Sequence, residues 1–452
     1  MSRWTDAVVR AALELPPAEG GESPAFGAIC TDTRAITPGA LFVALRGERF
    51  DAHDYLDAAQ AAGARGAVVR RGTGPVAGLI LYEVADTLEA LGRLARARRR
   101  EISGPVIGIT GSNGKTSTKE MVAAVLRTRL RTWATRANDN NLVGVPLTIL
   151  AAPDDTEALV IEAGASLLGE IPRLRAIVEP TAAIVTNVSP SHLAGFGSVA
   201  GVLREKLALV DGVSLAIVGN EPADLPIQAR TLARRVITAG PEGAEVRPDR
   251  IVVGADGRPT FEIDGQTVAL PLLGRHQAGN AMFAWTLVRE LGLDRAAAAR
   301  ALEQLVLPGG RGDVIEAGDL TILHDCYNAN PASFRAVIAT AKAMRTGRPL
   351  VFVAGTMREL GPDGPALHAE IAALLVDLEP DLLAVVGEFG PALAPYADRL
   401  GTRLLVAPDA PTLAEPLAAR LTGNELIVLK ASRGVALERI IPALTGRSAP
   451  QH

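Results

Sequence analysis

A glycine-rich turn between an apolar run and a helical pattern constrains this chain more than any other feature of its sequence. The run at 106–109 has the character of a buried parallel strand, and the segment at 115–126 has apolar residues at helical spacing. Glycines let backbone N–H groups point at an anion, and a helix N-terminus adds its dipole. A lysine and a following hydroxyl suit terminal phosphates and Mg²⁺. We therefore predict ATP binding by the turn and the helix start: Gly111, Ser112, Asn113, Gly114, Lys115, Thr116 and Ser117.

The turn departs from the strict eight-residue phosphate-loop pattern at its first position. Ile109 stands where that pattern has its first glycine, and Gly108 falls one residue early. The short match that remains is a modest signal by itself, and an ordinary glycine turn is the alternative. The strand before the turn and the helix after it favour phosphate binding.

Composition excludes several classes of protein. A length of 452 residues suits about three domains of ~150 residues each. The formal net charge of −4 argues against a general binder of nucleic acid or of membrane surfaces. Only Cys30 and Cys326 are present, which indicates a reducing compartment rather than a disulfide framework. Because the sequence also shows neither a signal peptide nor a membrane-length apolar stretch, we expect a soluble cytoplasmic protein.

Strand and helix patterns divide the chain into three predicted domains, 1–102, 103–307 and 308–452. The first is a smaller α/β domain, and its last residues include a basic run at 93–100 that we expect to form a solvated helix end. Apolar strands alternating with helices predict a doubly wound, mostly parallel sheet in the second domain, with a small antiparallel patch at 240–271. The third domain repeats the alternation and is predicted to be Rossmann-like. The predicted fold class is therefore α/β throughout.

Polar residues near strand ends of the second domain are candidates for catalysis, because ligands bind at the carboxyl edge of a parallel sheet. Glu162 ends one apolar strand, His192 follows another, and Lys206 lies on the next helix. A carboxylate and an imidazole beside Thr116 would suit a Mg²⁺ site. Each residue also has a plain alternative when taken singly: a solvated strand-end acid, a loop-capping histidine and a surface lysine.

Polar groups also follow two predicted strands of the third domain. Asp325 is placed to bond a ribose and Tyr327 to lie against an adenine ring, but an Asn-Pro turn explains this segment equally well. Arg311, between glycines, either contacts phosphate or marks a hinge. The residues after a later strand form either a compact anion-binding set or a solvated loop: Lys430, Ser432 and Arg433.

The first domain is dense in polar residues around a predicted strand. Four of them suit a charged ligand: Thr33, Arg34, Asp51 and His53. Taken singly, each is a residue type that forms turns or caps helices.

Several motifs occur together in the order found in one known family. The chain resembles the Mur ligases, ATP-dependent amide-bond formers of cell-wall precursor synthesis, in TGSNGKT, IEAGAS, SHLAGFGS with a downstream lysine, GRHQAGNAMFA and DCYNANPAS. The resemblance covers nearly the whole chain. Three segments favour the member whose substrates are UDP-N-acetylmuramoyl-tripeptide and D-alanyl-D-alanine: FVALRGERFDAHDY, NDNNLVGVPLTIL and DCYNANPAS. The tyrosine-alanine-histidine sequence expected of the tripeptide-forming sibling is absent after the third-domain strand.

The resemblance implies a division of labour among three domains. The first would hold the UDP end of the substrate, the second would hold ATP, and the third would complete the nucleotide site and help to receive the dipeptide. Thr116 and Glu162 would contact one Mg²⁺, and His192 would help to place a second. Lys206 aligns with a lysine that family members carry as a carbamate, which would turn a cation into a metal-site anion.

The same resemblance implies the remaining roles. Asn280 would contact adenine, Asp325 the ribose and Tyr327 the ring face. The implied catalytic residues are Lys115, Lys206, His192 and Arg311. The predicted substrate-binding residues are Thr33, Arg34, Asp51, His53, Asn140, Asn141, Lys430, Ser432 and Arg433.

Two departures from the family pattern alter the expected fit. The His-Asn-x-x-Asn pattern appears here as His276, Gln277 and Asn280, and glutamine offers the same donor and acceptor groups one methylene further out. Ser117 replaces a second threonine and keeps the hydroxyl. We expect the protein to be a monomer. We also expect it to transfer the γ-phosphoryl group of ATP to a substrate carboxylate, which gives an acyl phosphate. The alternatives are a related ligase that adds a different amino acid, and a phosphate-loop ATPase that moves domains.

Overall fold

The computed structural model describes residues 3–18, 24–47 and 49–446, and it divides into two compact units. Residues 1–2, 19–23 and 48 of the predicted domain 1–102 and residues 447–452 of the predicted domain 308–452 lie outside the described residues. The three-domain boundaries themselves stay predictions. The first unit comprises Met1–Gly108, Arg131–Ala165 and Glu170–Thr181, and the second comprises Ile109–Leu130, Ser166–Gly169 and Ala182–His452.

A four-stranded parallel sheet forms the amino-terminal part of the first unit. Its strands follow the order Ile29–Cys30, Leu41–Val43, Gly66–Arg70 and Ile80–Val84. The central strands are apolar because both faces of the sheet are covered. The unit also contains an antiparallel pair, Trp4–Thr5 with Ala25–Phe26, and a parallel pair, Thr132–Ala134 with Ala158–Glu162. Its α-helices are Asp6–Ala12, Leu56–Ala61, Thr87–Arg100, Gly144–Leu150 and Glu170–Val178, and its 3-10 helices are Thr33–Ala35 and Ala52–Tyr55.

The basic run at the end of helix Thr87–Arg100 is only in part the solvated helix end that the sequence predicts, because Arg100 is exposed but the two arginines before it are buried. Arg98 and Arg99 are only 2% and 8% exposed. The guanidinium of Arg99 donates to the backbone carbonyls of Val178, Ile102 and Glu179 at 2.7, 3.1 and 2.7 Å. The expectation was wrong for Arg98 and Arg99, because carbonyl groups left over at the ends of neighbouring elements satisfy their donors.

The strand Val106–Thr110 crosses from the first unit to the second, where it leads into helix Lys115–Arg127. Three further strands of the second unit pair in parallel: Ala182–Val185, Leu215–Val218 and Val236–Thr238. The antiparallel patch predicted at 240–271 is confirmed as Arg250–Val253, Pro259–Ile263 and Gln266–Ala269. The α-helices of this part are Leu193–Phe196, Val199–Leu207, Asp224–Leu232, His276–Glu290 and Arg295–Glu303.

The carboxy-terminal part of the second unit is a six-stranded sheet with two apolar cores on its opposite faces. Phe352 contributes to one core, and its neighbours Val351 and Val353 contribute to the other, as strand alternation requires. The strand order is Asp313–Ala317, Leu320–Asp325, Leu426–Lys430, Leu350–Ala354, Leu382–Val386 and Leu404–Ala407, and only the first pair is antiparallel. The α-helices are Pro331–Met344, Gly364–Asp377, Phe389–Leu393, Ala397–Leu400, Ala410–Ala418 and Ile441–Thr445.

The predicted α/β class is therefore confirmed, and the carboxy-terminal sheet is doubly wound as expected. The sequence did not predict the antiparallel edge strand Asp313–Ala317, because this strand begins directly after the glycine-rich segment 309–312, next to the predicted domain boundary. Among the described residues, no helix combines the length and the apolar character needed to cross a membrane.

Candidate active site

The loop at 111–114 joins the strand Val106–Thr110 to the helix Lys115–Arg127, in the order that the sequence predicts. Gly111 has a φ of +147° and Gly114 a φ of +78°, conformations that L side chains rarely adopt. A Cβ on Gly111 would lie 1.9 Å from Thr186 Oγ1, and one on Gly114 would lie 2.6 Å from Asn280 Oδ1. Both positions therefore require glycine. A turn at a helix N-terminus whose first and last residues are glycines lets the backbone approach a phosphate group closely.

Lys115 begins the helix, and its side chain folds back over the loop. Its Nζ donates to the carbonyl oxygens of Gly111 at 2.8 Å and Ser112 at 3.3 Å. The ammonium group thus lies beside the backbone that would hold the phosphates. Thr116 and Ser117 are buried in the first turn of the same helix.

Asn113 is held by side chains that the sequence did not single out. Its backbone N–H donates to Asn187 Oδ1 at 3.1 Å, and its Nδ2 donates to Ser189 Oγ at 3.0 Å. Its Oδ1 accepts a 2.7 Å hydrogen bond from Asn330 Nδ2. Asn330 lies immediately before Pro331, and this Asn-Pro pair, with Ser333 after it, is a helix-start signal that could have identified it.

Asn280 lies on helix His276–Glu290, with its amide against the phosphate loop at Gly114. Its Nδ2 donates to Gln277 Oε1 at 3.0 Å, so the glutamine that departs from the family pattern orients the predicted adenine contact. The helix is fixed further along, where Trp285 Nε1 donates to Asp264 Oδ2 at 2.9 Å.

His192 and Lys206 both belong to the second unit, where the backbone is strained at His192 and the side chain of Lys206 is buried. His192 has a φ of +49°, and its Nδ1 contacts the carboxylate of Glu359. Lys206 is 1% exposed, and its Nζ lies 5.4 Å from the ring centre of Phe196. The alternative of an ordinary surface lysine is therefore wrong.

The pKa of His192 is lowered from its usual value. Burial is the largest cause, and the positive charges of Lys115 and Lys206 add to it. The carboxylate of Glu359 opposes this shift. A histidine with a lowered pKa keeps a neutral imidazole at neutral pH, which is the form that binds metal ions.

Tyr327 carries a guanidinium group against its ring. The guanidinium carbon of Arg311 lies 3.7 Å from the ring centre, and that of Arg433 lies 5.3 Å away. The structure thus brings three predicted site residues together. The predicted contact of Tyr327 with adenine requires a ring face that Arg311 leaves open, or the displacement of Arg311.

Asp325 ends its strand beside Lys430, which ends the neighbouring strand. Lys430 Nζ and Asp325 Oδ2 lie 2.8 Å apart, and Lys430 is only 1% exposed. Ser432 is 6% exposed, and its Oγ accepts a 2.9 Å hydrogen bond from the backbone N–H of Arg358. The solvated-loop alternative is therefore wrong for Lys430 and Ser432.

Glu162 belongs to the first unit, where it ends the strand Ala158–Glu162 and is 1% exposed. Its Oε1 accepts a 2.8 Å hydrogen bond from Asn140 Nδ2, so it is not the solvated acid of the alternative interpretation. Asn141 Oδ1 accepts from the backbone N–H groups of Val143 and Gly144 at 3.0 and 2.8 Å and thereby orders the start of a helix.

The amino-terminal polar cluster forms two local turns. Arg34 pairs with Asp32 at 2.6 Å, its side chain is 88% exposed, and Thr33 lies in the same 3-10 turn. Asp51 pairs with His53 at 2.5 Å, and the backbone hydrogen bond from His53 is the largest cause of the lowered pKa of Asp51. The second ring nitrogen of His53 accepts from the backbone of Arg70 at 3.0 Å. Asp51 and His53 are thus committed to the turn, whereas Arg34 is open to a ligand.

The oxygen-bearing side chains predicted for Mg²⁺ suit that ion. Within the described residues, no group of three or more His, Cys, Asp and Glu side chains is arranged to hold a metal ion. Mg²⁺ commonly takes one or two carboxylates together with substrate phosphates and water rather than an all-protein cage. The buried hydroxyl of Thr116 and the buried carboxylate of Glu162 are donors of this kind.

Three protein-family models match consecutive parts of the chain. The Mur ligase family catalytic domain matches residues 26–99, the Mur ligase middle domain matches 109–288, and the Mur ligase glutamate ligase domain matches 310–433. The chain belongs to the Mur ligase family, and the resemblance inferred from its motifs is confirmed.

Several relatives within that family bear the same name. The UDP-N-acetylmuramoyl-tripeptide–D-alanyl-D-alanine ligase of Escherichia coli is 36% identical over 440 residues, which cover 94% of this chain and 95% of the relative. A crystal structure of MurF from Acinetobacter baumannii superposes with a TM-score of 0.87 at 29% identity and covers 98% and 99% of the two chains. The MurF ligase of Thermotoga maritima in complex with ADP has a TM-score of 0.80 at 28% identity and covers 93% and 97%.

Proposed function

We propose that this chain is the ATP-dependent ligase that joins D-alanyl-D-alanine to UDP-N-acetylmuramoyl-tripeptide and so forms the pentapeptide precursor of peptidoglycan. The observation that carries the proposal is a phosphate loop between a parallel strand and a helix N-terminus, with the Lys115 ammonium group over the loop and the Asn280 amide against Gly114. Relatives that match almost the whole chain bear the name of this activity, which supports the choice of substrates.

The reaction must first activate a carboxylate, because oxide is too poor a leaving group for direct amide formation. Transfer of the γ-phosphoryl group of ATP to the tripeptide carboxylate gives an acyl phosphate, which then has phosphate as its leaving group. The amine of D-alanyl-D-alanine attacks the acyl carbon, and the tetrahedral intermediate collapses to the amide with release of phosphate. Negative charge develops on phosphoryl oxygens during the first step, so Lys115 and Arg311 are the cations we assign to it.

Thr116, Glu162 and His192 are the residues that we assign to Mg²⁺. The ion would supply positive charge against the phosphate oxygens when it is bound. Lys206 would serve this site as a carbamate, because carbamylation converts its amine into an anion. Its burial supports this proposal, since a carbamate on Lys206 would be shielded from bulk water.

We assign the UDP end of the substrate to the amino-terminal domain. Its exposed Arg34, in the same turn as Thr33, supports this assignment, with Asp51 and His53 shaping the adjacent turn. Asn140 and Asn141 would receive the peptide part of the substrate. Lys430, Ser432 and Arg433 would help to receive the dipeptide, and we expect a cytoplasmic monomer.

The test is release of ADP in the presence of UDP-N-acetylmuramoyl-tripeptide, with and without the dipeptide. We expect ADP and pentapeptide in equal amounts only when both substrates are present. Lys115→Ala should abolish this reaction, whereas the matched control Lys342→Ala, at an exposed helical lysine, should not change it. ATP hydrolysis without either substrate would favour an ATPase that moves domains. Faster ligation of a single amino acid would favour a related ligase.

The carbamate has its own test. Lys206→Ala should be nearly inactive and partly rescued by acetate or bicarbonate, which can occupy the vacated space. Isotope-labelled bicarbonate should give a carbamate signal in the spectrum of the wild-type protein that the Lys206→Ala protein lacks. Full activity of Lys206→Ala without additives would refute the assignment.

A further inference from the structure

Asn330 caps the helix Pro331–Met344 with one half of its side-chain amide. Its Oδ1 accepts a 2.9 Å hydrogen bond from the backbone N–H of Ser333, and Ser333 Oγ accepts a 3.0 Å hydrogen bond from the backbone N–H of Asn330. This reciprocal arrangement is a capping box, and Asn330 is 2% exposed.

The amide nitrogen of Asn330 makes a second hydrogen bond that plays no part in capping the helix. Asn330 Nδ2 donates to Asn113 Oδ1 in the phosphate loop at 2.7 Å, although the two residues are 217 positions apart in the chain. Because Asn113 accepts through Oδ1, its Nδ2 is turned toward Ser189. The Asn330 amide therefore fixes the orientation of the Asn113 amide, which in turn donates a hydrogen bond to Ser189 Oγ.

Capping alone does not require an asparagine at this position, because other residue types cap equally well. Three other helices of the second unit are capped by a side-chain acceptor that has no amide donor: Ser198, Asp294 and Asp409. Aspartate and serine cap about as well as asparagine, and aspartate is further favoured by the helix dipole. Of these residue types, only asparagine offers an acceptor for the helix and an N–H donor on the same rigid group. The requirement specific to residue 330 is thus the donor that faces Asn113.

We propose that Asn330 is a positioning residue for the phosphate loop. Its amide holds Asn113, and with it the loop at 111–114, in the conformation that receives the β and γ phosphates of the nucleotide. The hydrogen bond also connects the helix Pro331–Met344 to the loop. Because this helix follows the strand that ends at Asp325, the predicted ribose contact and the phosphate loop are held in place together. Only the identification of the nucleotide as ATP rests on the function proposed above.

The sharpest test is Asn330→Asp, which keeps the cap and removes the donor. We expect ATP and ADP to bind about tenfold more weakly, because one buried hydrogen bond is lost and a carboxylate faces Asn113 Oδ1. Binding of AMP should change by less than twofold, since AMP lacks the phosphates that the loop receives. The midpoint of thermal unfolding should fall by only a few degrees, because the helix cap is kept and the lost hydrogen bond is worth about 1 kcal/mol. Titration calorimetry with each nucleotide alone measures these constants without any amide acceptor.

Two further variants separate positioning from a general loss of structure. Asn330→Ser also keeps a capping oxygen, so it should reproduce the weaker ATP binding even if the aspartate variant folds poorly. In an Asn113→Ala background the acceptor is gone, so Asn330→Ser should then weaken ATP binding by less than twofold. Asp409→Asn exchanges the same two residue types at a remote cap and should leave all nucleotide affinities unchanged.

Unchanged ATP binding in a folded Asn330→Asp protein would overturn the proposal. Equal weakening of AMP and ATP would also overturn it, because that pattern indicates a structural defect rather than a defect of the phosphate loop. Because these measurements use nucleotide alone, a protein with a different amide acceptor gives the same result. A failure of the proposed substrate assignment is therefore distinguishable from a failure of this inference.

Discussion

Gly114→Ala tests whether the phosphate loop and the predicted adenine contact depend on each other. Residue 114 has a φ of +78°, and a Cβ there would lie 2.6 Å from Oδ1, 3.1 Å from Cγ and 3.2 Å from Nδ2 of Asn280. All three nearest atoms belong to one amide. The substitution therefore strains the backbone and also pushes Asn280 away from the loop.

The two effects have separate magnitudes. Placing alanine in the left-handed region costs about 1–2 kcal/mol. Moving the Asn280 amide breaks its 3.0 Å hydrogen bond to Gln277, which is worth about 0.5–1.5 kcal/mol. We therefore expect Gly114→Ala to lower the free energy of unfolding by about 1.5–3.5 kcal/mol, the sum of the two effects. ATP should also bind about tenfold more weakly, since a loss of about 1.4 kcal/mol in binding corresponds to that factor.

Gly72→Ala is the matched control, because Gly72 has a φ of +83° and nothing lies within 4 Å of its Cβ position. It should show the backbone cost of about 1–2 kcal/mol and no change in ATP affinity. In an Asn280→Ala background the clash is removed, so Gly114→Ala should then destabilise by the same amount as Gly72→Ala. Urea unfolding and titration calorimetry measure both quantities. Strictly additive effects of Gly114→Ala and Asn280→Ala would refute the reasoning.

Three further predictions concern the first unit. Arg99→Met should lower the free energy of unfolding by about 2–4 kcal/mol, because it leaves three backbone carbonyls unpaired, whereas Arg100→Met, at an exposed position, should cost less than about 1 kcal/mol in the same urea experiment. Arg34→Ala should weaken binding of the UDP substrate without changing ATP affinity in calorimetry, and an equal loss for both ligands would contradict the assigned division of labour. Burial raises the pKa of Cys30 to about 11, with Asp32 adding to the shift. Since only the thiolate reacts, alkylation of Cys30 at pH 8 should be about a hundredfold slower than that of an unperturbed cysteine. The rate should increase as the pH rises toward 11. A rate at pH 8 equal to that of a free thiol would contradict the burial of Cys30.

The elements that the sequence predicted well are those with a local cause. The strand Val106–Thr110 and the helix Lys115–Arg127 follow directly from apolar runs and helical periodicity, and the phosphate loop follows from its glycines. The alternation of apolar residues also identified the antiparallel patch. In each case, neighbouring residues in the chain determine the structure.

The features that the sequence did not reveal depend on partners far along the chain. The basic run at 93–100 looks solvated until Val178 and Glu179 provide carbonyl acceptors for Arg99. Asn330 looks like part of an Asn-Pro turn until Asn113 provides the acceptor for its amide. Periodicity carries no information about such pairings, so burial of these polar groups could not be predicted from their own segments.

The tryptophan whose indole anchors helix His276–Glu290 is also the last tryptophan of the chain, which determines what the intrinsic fluorescence of the protein can measure. The chain contains three tryptophans, at positions 4, 133 and 285, and none after residue 285. Trp4 and Trp285 are buried, and Trp133 has the guanidinium carbon of Arg136 4.7 Å from its ring centre. Intrinsic fluorescence will therefore follow unfolding of the amino-terminal and central parts, while the carboxy-terminal sheet contributes no indole emission. A single tryptophan introduced beyond residue 308 would be spectroscopically distinct once the three native ones are replaced.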